Sequence, residues 1–256
     1  MTFKPHMYDK SPVVKGDIAR WYAKNYSKIE DDIENVFEPL DTPFLDKKIK
    51  PNMKVLDAMM GQGRHAIRYA KRGSFVWGND FNVHMVERAM VLAKKAKLDP
   101  DKMRFSCKDA RNLKNVPKNF DVTIAMFSAV GTVPKSKNRQ QIMNTLAKHT
   151  KKGGIVIVHA HNRLDSFIEK DFVIWAFKNV ISPDDGLERG DMIADYNGLE
   201  SMFNHFYTPG EFRKSFRLAG LKVVEENYMN YTKKKFISGP LRKFKADGFI
   251  FVGKKK

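Results

Sequence analysis

The stretch that decides the fold is Val55-Leu-Asp-Ala-Met-Met-Gly-Gln-Gly63. Apolar residues lead into Asp57, two glycines follow at Gly61 and Gly63, and a helical pattern starts at once. A strand that turns on glycine into a helix N-terminus is how α/β folds bring backbone close to a nucleotide-like ligand. A second apolar run, Phe75-Val-Trp-Gly-Asn-Asp80, ends in an acidic residue. Such folds hold ribose hydroxyls with an acid at that position.

The charge at the end of the first strand distinguishes between two kinds of ligand. A dinucleotide fingerprint would have a third glycine at position 66, where this chain has Ala66, a replacement that the pattern tolerates. Asp57 is more informative, because a carboxylate there would repel a pyrophosphate lying over the same turn. The same carboxylate suits a ligand that carries an ammonium group and no phosphate.

These residues resemble the first two motifs of the class I S-adenosylmethionine-dependent methyltransferases. In that family the first acid and the glycine backbone bind the methionine moiety, and the second acid accepts hydrogen bonds from both ribose hydroxyls. Asp57, Gly61, Gly63 and Asp80 match position by position. Met59 stands where the family usually has its first glycine, so we expect its backbone either to keep a negative φ or to be strained.

The resemblance continues in order along the chain, well over residues 50–160 and more loosely over 205–253. Met103-Arg-Phe-Ser-Cys-Lys-Asp-Ala110 resembles the third strand, whose Asp109 would meet the adenine amino group and whose Ala110 N–H would meet the ring. Phe120 to Gly131 resembles the fourth strand and the motif that closes over the methyl donor. The resemblance implies S-adenosyl-L-methionine as cofactor, with a binding set of Asp57, Ala58, Met59, Gly61, Gly63, Arg64, Asp80, Phe81, Asp109, Ala110, Met126 and Phe127.

The spacing of apolar residues predicts an α/β fold. We expect a doubly wound, mostly parallel seven-stranded sheet with an antiparallel last strand, helices on both faces, an N-terminal helix and an inserted lid. The predicted strands are 53–57, 75–79, 103–107, 121–126, 154–159, 222–228 and 247–252, and the predicted helices are 14–37, 63–72, 83–96 and 138–149. The predicted divisions are an N-terminal helical cap over 1–49, a cofactor-binding core over 50–161, an insertion with helix and hairpin over 162–206, and the rest of the sheet over 207–256.

Three side chains are candidates for catalytic roles: His161, His205 and Tyr22. His159 and His161 flank Ala160 at the end of the fifth strand, so a period of two puts both on one face. A metal pair, a catalytic base and ordinary polar lining of the cleft are all compatible with this pattern. Because no third ligand stands at a useful spacing, we expect no metal.

Two further segments are candidates for the walls of the acceptor pocket. His205 lies in Asn204-His-Phe-Tyr207, just before the last helix, and Tyr22 and Tyr26 are placed to reach over the donor from the N-terminal helix. Arg64 and His65 begin the first helix of the core, where cations are disfavoured by the helix dipole. We therefore expect a local use for them, either contact with the donor carboxylate or with Asp80.

Composition bounds the class of protein. Cys107 is the single cysteine among 256 residues, so there is no disulfide framework and a reducing compartment is expected. The first residues lack the apolar core of a signal peptide, and no window approaches 18 apolar residues. We expect a cytoplasmic enzyme without membrane contact.

The motifs leave two kinds of methyl acceptor open. The core motifs look most like small-molecule N-methyltransferases, which favours a small acceptor methylated at nitrogen or oxygen. Against this, Phe203-Asn-His-Phe-Tyr-Thr-Pro-Gly-Glu-Phe212 resembles a segment of the wobble-uridine tRNA methyltransferases, and 47 Lys and Arg against 29 Asp and Glu give a net charge of +18. The basic clusters 233–235, 242–245 and 254–256 suit phosphate contacts, or are solvated faces. Loss of Asp57 or Asp80 would have indicated a non-catalytic binding module, and both are present.

Overall fold

The architecture comes from a computed structural model that describes residue 26 and residues 33–164, 186–196 and 199–256. A π-helix over Ile33–Phe37 leads into the first helix. The α-helices are α1 (Glu38–Lys48), α2 (Arg64–Lys71), α3 (Val83–Lys95), α4 (Ser136–His149), α5 (Pro209–Leu218) and α6 (Arg242–Lys245). The strands are β1 (Lys54–Asp57), β2 (Phe75–Asp80), β3 (Met103–Cys107), β4 (Phe120–Ala125), β5 (Thr150–His161), β6 (Asp191–Tyr196), β7 (Leu199–His205), β8 (Leu221–Asn230), β9 (Lys235–Ile237) and β10 (Gly248–Lys255).

The main sheet confirms the predicted α/β class. Its strand order is β3-β2-β1-β4-β5-β10-β8-β9, and the first five of these strands pair in parallel. β10 lies between β5 and β8 and is antiparallel to both, as the missing crossover before it predicts. The sheet has eight strands rather than seven, because the three-residue β9 adds an edge strand that is too short to show a period. β8 therefore runs parallel to β5, and both end at the same edge of the sheet.

Alternation along the strands sends side chains into two cores, one on each face of the sheet. Leu56, Val158 and Phe249 belong to one core, together with buried side chains of α4 and α5. Val55, Ile157 and Ile250 belong to the other, with buried side chains of α1, α2 and α3. Neighbours in sequence thus face opposite cores, which is the doubly wound arrangement.

The insertion leaves the sheet and returns to it at adjacent points. Tyr207 N donates to His161 O at 3.0 Å, and Arg163 N donates to Tyr207 O at 2.8 Å. β6 and β7 form the predicted hairpin, while the predicted helix of the insertion and most of the predicted helix 14–37 lie outside the described residues. None of the described helices is long and apolar enough to cross a membrane.

A buried ion pair attaches α1 to the start of α2, next to the glycine turn. Arg64 donates to both carboxylate oxygens of Asp41, at 2.9 and 2.7 Å, and His65 Nε2 lies 3.2 Å from Asp41 Oδ2. Burial works to raise the pKa of Asp41, but His65 and Arg64 outweigh it and hold that pKa below its usual range. The Arg64 cation at this helix N-terminus is thus offset by a carboxylate from a preceding helix.

We expect Asp41→Asn to reduce the free energy of unfolding by about 3–5 kcal/mol, since removing one partner of a buried pair leaves the other charge uncompensated. Asp46→Asn is the matched control on the same helix, because Asp46 also binds an arginine, Arg68, at 2.7 Å but is a quarter exposed. Its loss should cost about 1 kcal/mol or less. Urea denaturation of both variants measures the difference, and equal losses would show that α1 is not held by the buried pair.

Candidate functional site

The glycine turn after β1 has the backbone geometry that a close-fitting ligand needs. Gly61 and Gly63 have φ of +55° and +88°, values that side chains with a Cβ rarely adopt. Met59, which occupies the family's first glycine position, does not adopt a positive φ, so its side chain imposes no backbone strain. A Cβ on Gly78 of β2 would collide with Met60 Sδ, so that glycine makes room for the turn.

Asp57 and Asp80 stand at the carboxyl ends of neighbouring parallel strands, on either side of the glycine turn. Asp80 Oδ2 accepts from Gly61 N and Asp80 Oδ1 accepts from Asn82 N, both at 2.9 Å. Burial raises the pKa of Asp57 to about 7, partly offset by the charge of Arg64, and raises the pKa of Asp80 to about 6 against the backbone N–H groups that bind it. These carboxylates are poorly solvated, and they suit a ligand that brings hydroxyl and ammonium donors.

A contact with Asp80 was one of the two expectations for Arg64 from the sequence. The structure does not show that contact. The Arg64 guanidinium is engaged by Asp41, so the cation serves to hold α1. The charge still acts on the site, because it lowers the pKa of Asp57.

The predicted adenine side contains a small cavity. Asp109 and Ala110 follow β3, and the Asp109 carboxylate accepts from Arg111 N at 2.8 Å and from Arg111 Nε at 2.9 Å. Five members of the predicted cofactor set line this cavity together with three other side chains. The lining residues are Ala58, Met59, Phe81, Asp109, Ala110, Arg111, Val133 and Ile142.

The segment after β4 turns sharply towards the cleft. Phe127 and Ser128 have φ of +54° and +50°, an unusual conformation for residues other than glycine. Met126 is buried, and the Phe127 ring lies edge-on to Phe37, with centroids 4.6 Å apart. The turn thus brings the predicted donor-closing motif against the end of the N-terminal segment.

His159 and His161 face the same side of β5, as the period of two predicts, and both contact Tyr231. The Tyr231 hydroxyl lies 2.8 Å from His159 Nε2 and 2.9 Å from His161 Nδ1. Phe37 packs on Tyr231 with centroids 4.9 Å apart, and Phe206 stacks on His161 at 5.5 Å. Burial lowers the pKa of His161 to about 4 and that of His159 well below its usual value.

His205 lies in a different, ionic environment. Its Nδ1 is 2.6 Å from Asp191 Oδ1 and its Nε2 is 2.9 Å from Glu211 Oε1. Arg139 also reaches Asp191 and bonds Glu188 at 2.7 Å. Both ring nitrogens of His205 are thus engaged by carboxylates that join the hairpin to α5, and neither is directed at an acceptor.

The remaining predicted residues divide between described and undescribed parts of the chain. Tyr22 lies outside the described residues. Tyr26 is described, and its hydroxyl lies 3.5 Å from the position that a Cβ on Gly61 would take. Tyr231 and Phe37 were not predicted as site residues. Tyr231 stands three residues beyond the end of the predicted strand 222–228, and this position near a strand end was the available signal. In the described ranges no group of three or more His, Cys, Asp or Glu is placed to hold a metal ion.

Comparisons with known proteins agree with this geometry. The family profile described as "Methyltransferase domain" matches residues 55–154, and no curated protein sequence gives a significant match. A SAM-dependent methyltransferase from Methanosarcina mazei superposes with a TM-score of 0.67, at 18% identity, over 83% of this chain and 97% of that one.

Two further solved structures have related folds. The 1,6-didemethyltoxoflavin-N1-methyltransferase of Burkholderia thailandensis, solved with 1,6-didemethyltoxoflavin and S-adenosylhomocysteine, gives a TM-score of 0.62 at 13% identity over 96% of this chain and 94% of that one. A chain from the complex between the Haloferax volcanii Trm112 methyltransferase activator and a methyltransferase gives a TM-score of 0.61 at 17% identity. The match covers 94% of this chain and 98% of that one. With the profile matched from the glycine turn into β5, the chain carries a methyltransferase domain, and its fold is that of the Rossmann-like S-adenosylmethionine-dependent methyltransferases.

Proposed function

We propose that this enzyme transfers the methyl group directly to a small acceptor, at nitrogen or oxygen, in the cleft where β4, β5 and β8 end. The observation that carries the proposal is the aromatic enclosure formed by Phe37, Phe127, His161, Phe206 and Tyr231. Flat rings on several sides suit a small planar molecule rather than an extended chain. The Burkholderia relative acts on a small heterocycle, which supports the same acceptor class.

The chain's own residues fit the cofactor. The Asp80 carboxylate accepts the backbone N–H groups of Gly61, Asn82 and Phe81, which leaves about one of its roughly four lone-pair positions for a ribose hydroxyl. Asp57 supplies negative charge at the predicted methionine end, and the cavity beside Asp109 and Ala110 lies at the predicted adenine end. When bound, the cofactor supplies a methyl group that is already activated by a sulfonium. The protein then has to align the acceptor and exclude water.

A substitution at Asp80 tests the donor site. We expect Asp80→Ala to weaken S-adenosylmethionine binding by about 1.5–3 kcal/mol for each charged hydrogen bond lost. Isothermal calorimetry measures the affinity. Asp121→Ala is the matched control, because Asp121 begins β4 at the opposite edge of the sheet and binds Lys54 N and Lys151. Unchanged affinity in the Asp80 variant would refute its assignment to the ribose.

The N-terminal cap and the insertion are proposed to close over the acceptor together. Ile33 of the π-helix is buried against Tyr26, Phe127 and Met202, so the cap, the β4 turn and the hairpin strand β7 contact one another. Phe37 at the end of the π-helix covers Tyr231 and His161. An acceptor of any size therefore needs these segments to move aside, as lids do.

We expect backbone amides of residues 33–37 and 202–205 to exchange hydrogen more slowly when S-adenosylhomocysteine is added. A closed lid has fewer openings, and a lid is among the least stable parts of a fold before its ligand binds. Mass spectrometry of peptides across these ranges, with peptides from β3 as an internal reference, measures the change. Equal protection with and without the product would contradict the lid.

An RNA acceptor is the second candidate, favoured by a basic lobe over residues 232–245. The lobe follows Tyr231 directly and holds six Lys or Arg and no Asp or Glu. Its Phe236 and Phe244 are 38% and 42% exposed beside these charges. Because β8 ends at the same edge of the sheet as β5, the lobe begins next to the cleft. Exposed rings among cations are suited to stacking with unpaired bases.

A salt titration separates the two acceptors. If the lobe binds RNA phosphates, replacing Lys233, Lys234 and Lys235 with Ala should lower the log–log salt slope of RNA affinity by up to about three units. Lys94, Lys95 and Lys97 form the matched control, since these exposed lysines lie at and just beyond the end of α3, at the opposite edge of the sheet. We expect no specific RNA complex and unchanged S-adenosylmethionine affinity in either variant. A salt-sensitive complex that only the first variant weakens would establish the RNA candidate instead.

A further inference from the structure

Four polar groups form an unbroken hydrogen-bonded chain at the cleft end of β5. Ser128 N donates to His159 Nδ1 at 3.3 Å. His159 Nε2 lies 2.8 Å from the Tyr231 hydroxyl, which lies 2.9 Å from His161 Nδ1. A Cβ on Gly248, which pairs with His161 in the sheet, would collide with the Tyr231 hydroxyl, so a glycine at this position makes room for the chain.

Both histidines in the chain are neutral near pH 7, because burial lowers the pKa of each ring. A neutral imidazole has one N–H donor and one acceptor nitrogen, and a phenol has a single O–H. The chain therefore has a limited number of protons to distribute. Each contact can be a hydrogen bond only if one side donates and the other accepts.

The backbone sets the direction of the first two bonds of the chain. A peptide N–H is always a donor, so His159 Nδ1 is the acceptor and the proton of His159 sits on Nε2. His159 then donates to the Tyr231 oxygen. That oxygen has a second lone pair, so the contact between Tyr231 and His161 forms either with the Tyr231 O–H as donor or with an N–H on His161 Nδ1 as donor. The first arrangement uses the Tyr231 hydrogen within the chain, and it leaves the proton of His161 on Nε2. The reversed order would place an N–H of His159 against the N–H of Ser128.

We propose that Ser128, His159 and Tyr231 orient His161 so that its Nε2–H donates a hydrogen bond to the methyl acceptor. The acceptor molecule then carries a lone pair, on a carbonyl oxygen or an unprotonated ring nitrogen, next to the atom that is methylated. No protein partner binds His161 Nε2 within the described ranges, and the stacked Phe206 favours a planar molecule. His161 acts as a donor rather than a base, and Tyr231 is a positioning residue. The placement of the acceptor rests on the proposed function, whereas the direction of the chain does not.

Nuclear magnetic resonance on the full-length, unliganded protein tests the direction of the chain. With 15N-labelled histidine at pH 7, we expect both rings to carry the proton on Nε2 and His161 Nδ1 to resonate as a hydrogen-bonded acceptor. Tyr231→Phe should move the His161 Nδ1 resonance towards that of a nitrogen without a donor. Tyr228→Phe is the matched control, since that hydroxyl binds Glu226 on the same strand. A proton on Nδ1 of either ring, or an unchanged Nδ1 resonance in Tyr231→Phe, would overturn the proposal.

A pair of His161 variants tests the role towards the acceptor. Glutamine keeps an N–H donor but cannot take up a proton, and leucine has neither property. Methyl-labelled S-adenosylmethionine and a small-metabolite extract report transfer to low-molecular-weight products. We expect His161→Gln to retain transfer within about threefold and His161→Leu to lose about tenfold, the size of one hydrogen bond. Equal loss in both variants would refute the inference, because an N–H donor at this position would then not sustain transfer. Absence of label in wild-type products would instead count against the proposed small acceptor.

Discussion

The site depends on two carboxylates that the sheet holds out of water around one glycine turn. The parallel register aligns Asp57 with Gly78, so Asp80 ends the neighbouring strand two residues beyond it. The turn passes between the two carboxylates only because its glycines tolerate a positive φ. The same backbone conformation directs the Gly61 N–H towards Asp80, which accepts its hydrogen bond. That turn determines the positions of α2 and of the adenine-side cavity. It also places Arg64 at the start of α2, where the cation needs Asp41 as its partner.

Burying these carboxylates makes the unliganded fold sensitive to pH. A carboxyl group whose pKa is raised on folding does not lower the free energy of unfolding at a pH well below its unfolded pKa. At such a pH the group is protonated in both the folded and the unfolded state. The cost grows as the pH rises from about 4 towards the folded values of about 7 for Asp57 and about 6 for Asp80. Each carboxyl then lowers stability at pH 7 by the order of 3–4 kcal/mol. A ligand that binds only the folded state offsets part of this cost, so the site sacrifices stability for cation and hydroxyl recognition.

The turn and the strand ends on the predicted donor side could be predicted from the sequence because their determinants are local. Gly61, Gly63 and Asp80 mark the turn and the strand end within 25 residues of sequence, and Asp109 and Ala110 stand two and three residues after the end of the next strand. The acceptor half is assembled from distant segments, since Tyr231 reaches His161 only because β10 inserts between β5 and β8. The sequence predicts a ligand contact for Arg64 and does not reveal its partner Asp41. That partner lies on another helix, and no local pattern indicates the pairing. The extra strand β9 is too short for any period to show.

Neutral histidines are what a cationic methyl donor requires of its surroundings. A protonated His159 or His161 would repel a sulfonium in the water-poor cleft, by a force that low dielectric strengthens. Burial among Phe37, Phe206 and Tyr231 keeps both rings uncharged, and neutrality in turn leaves each ring one donor and one acceptor. The left-handed backbone at Phe127 and Ser128 then has a physical reason: it aims a peptide N–H at His159, and that donor places the proton of His159 on Nε2, towards Tyr231.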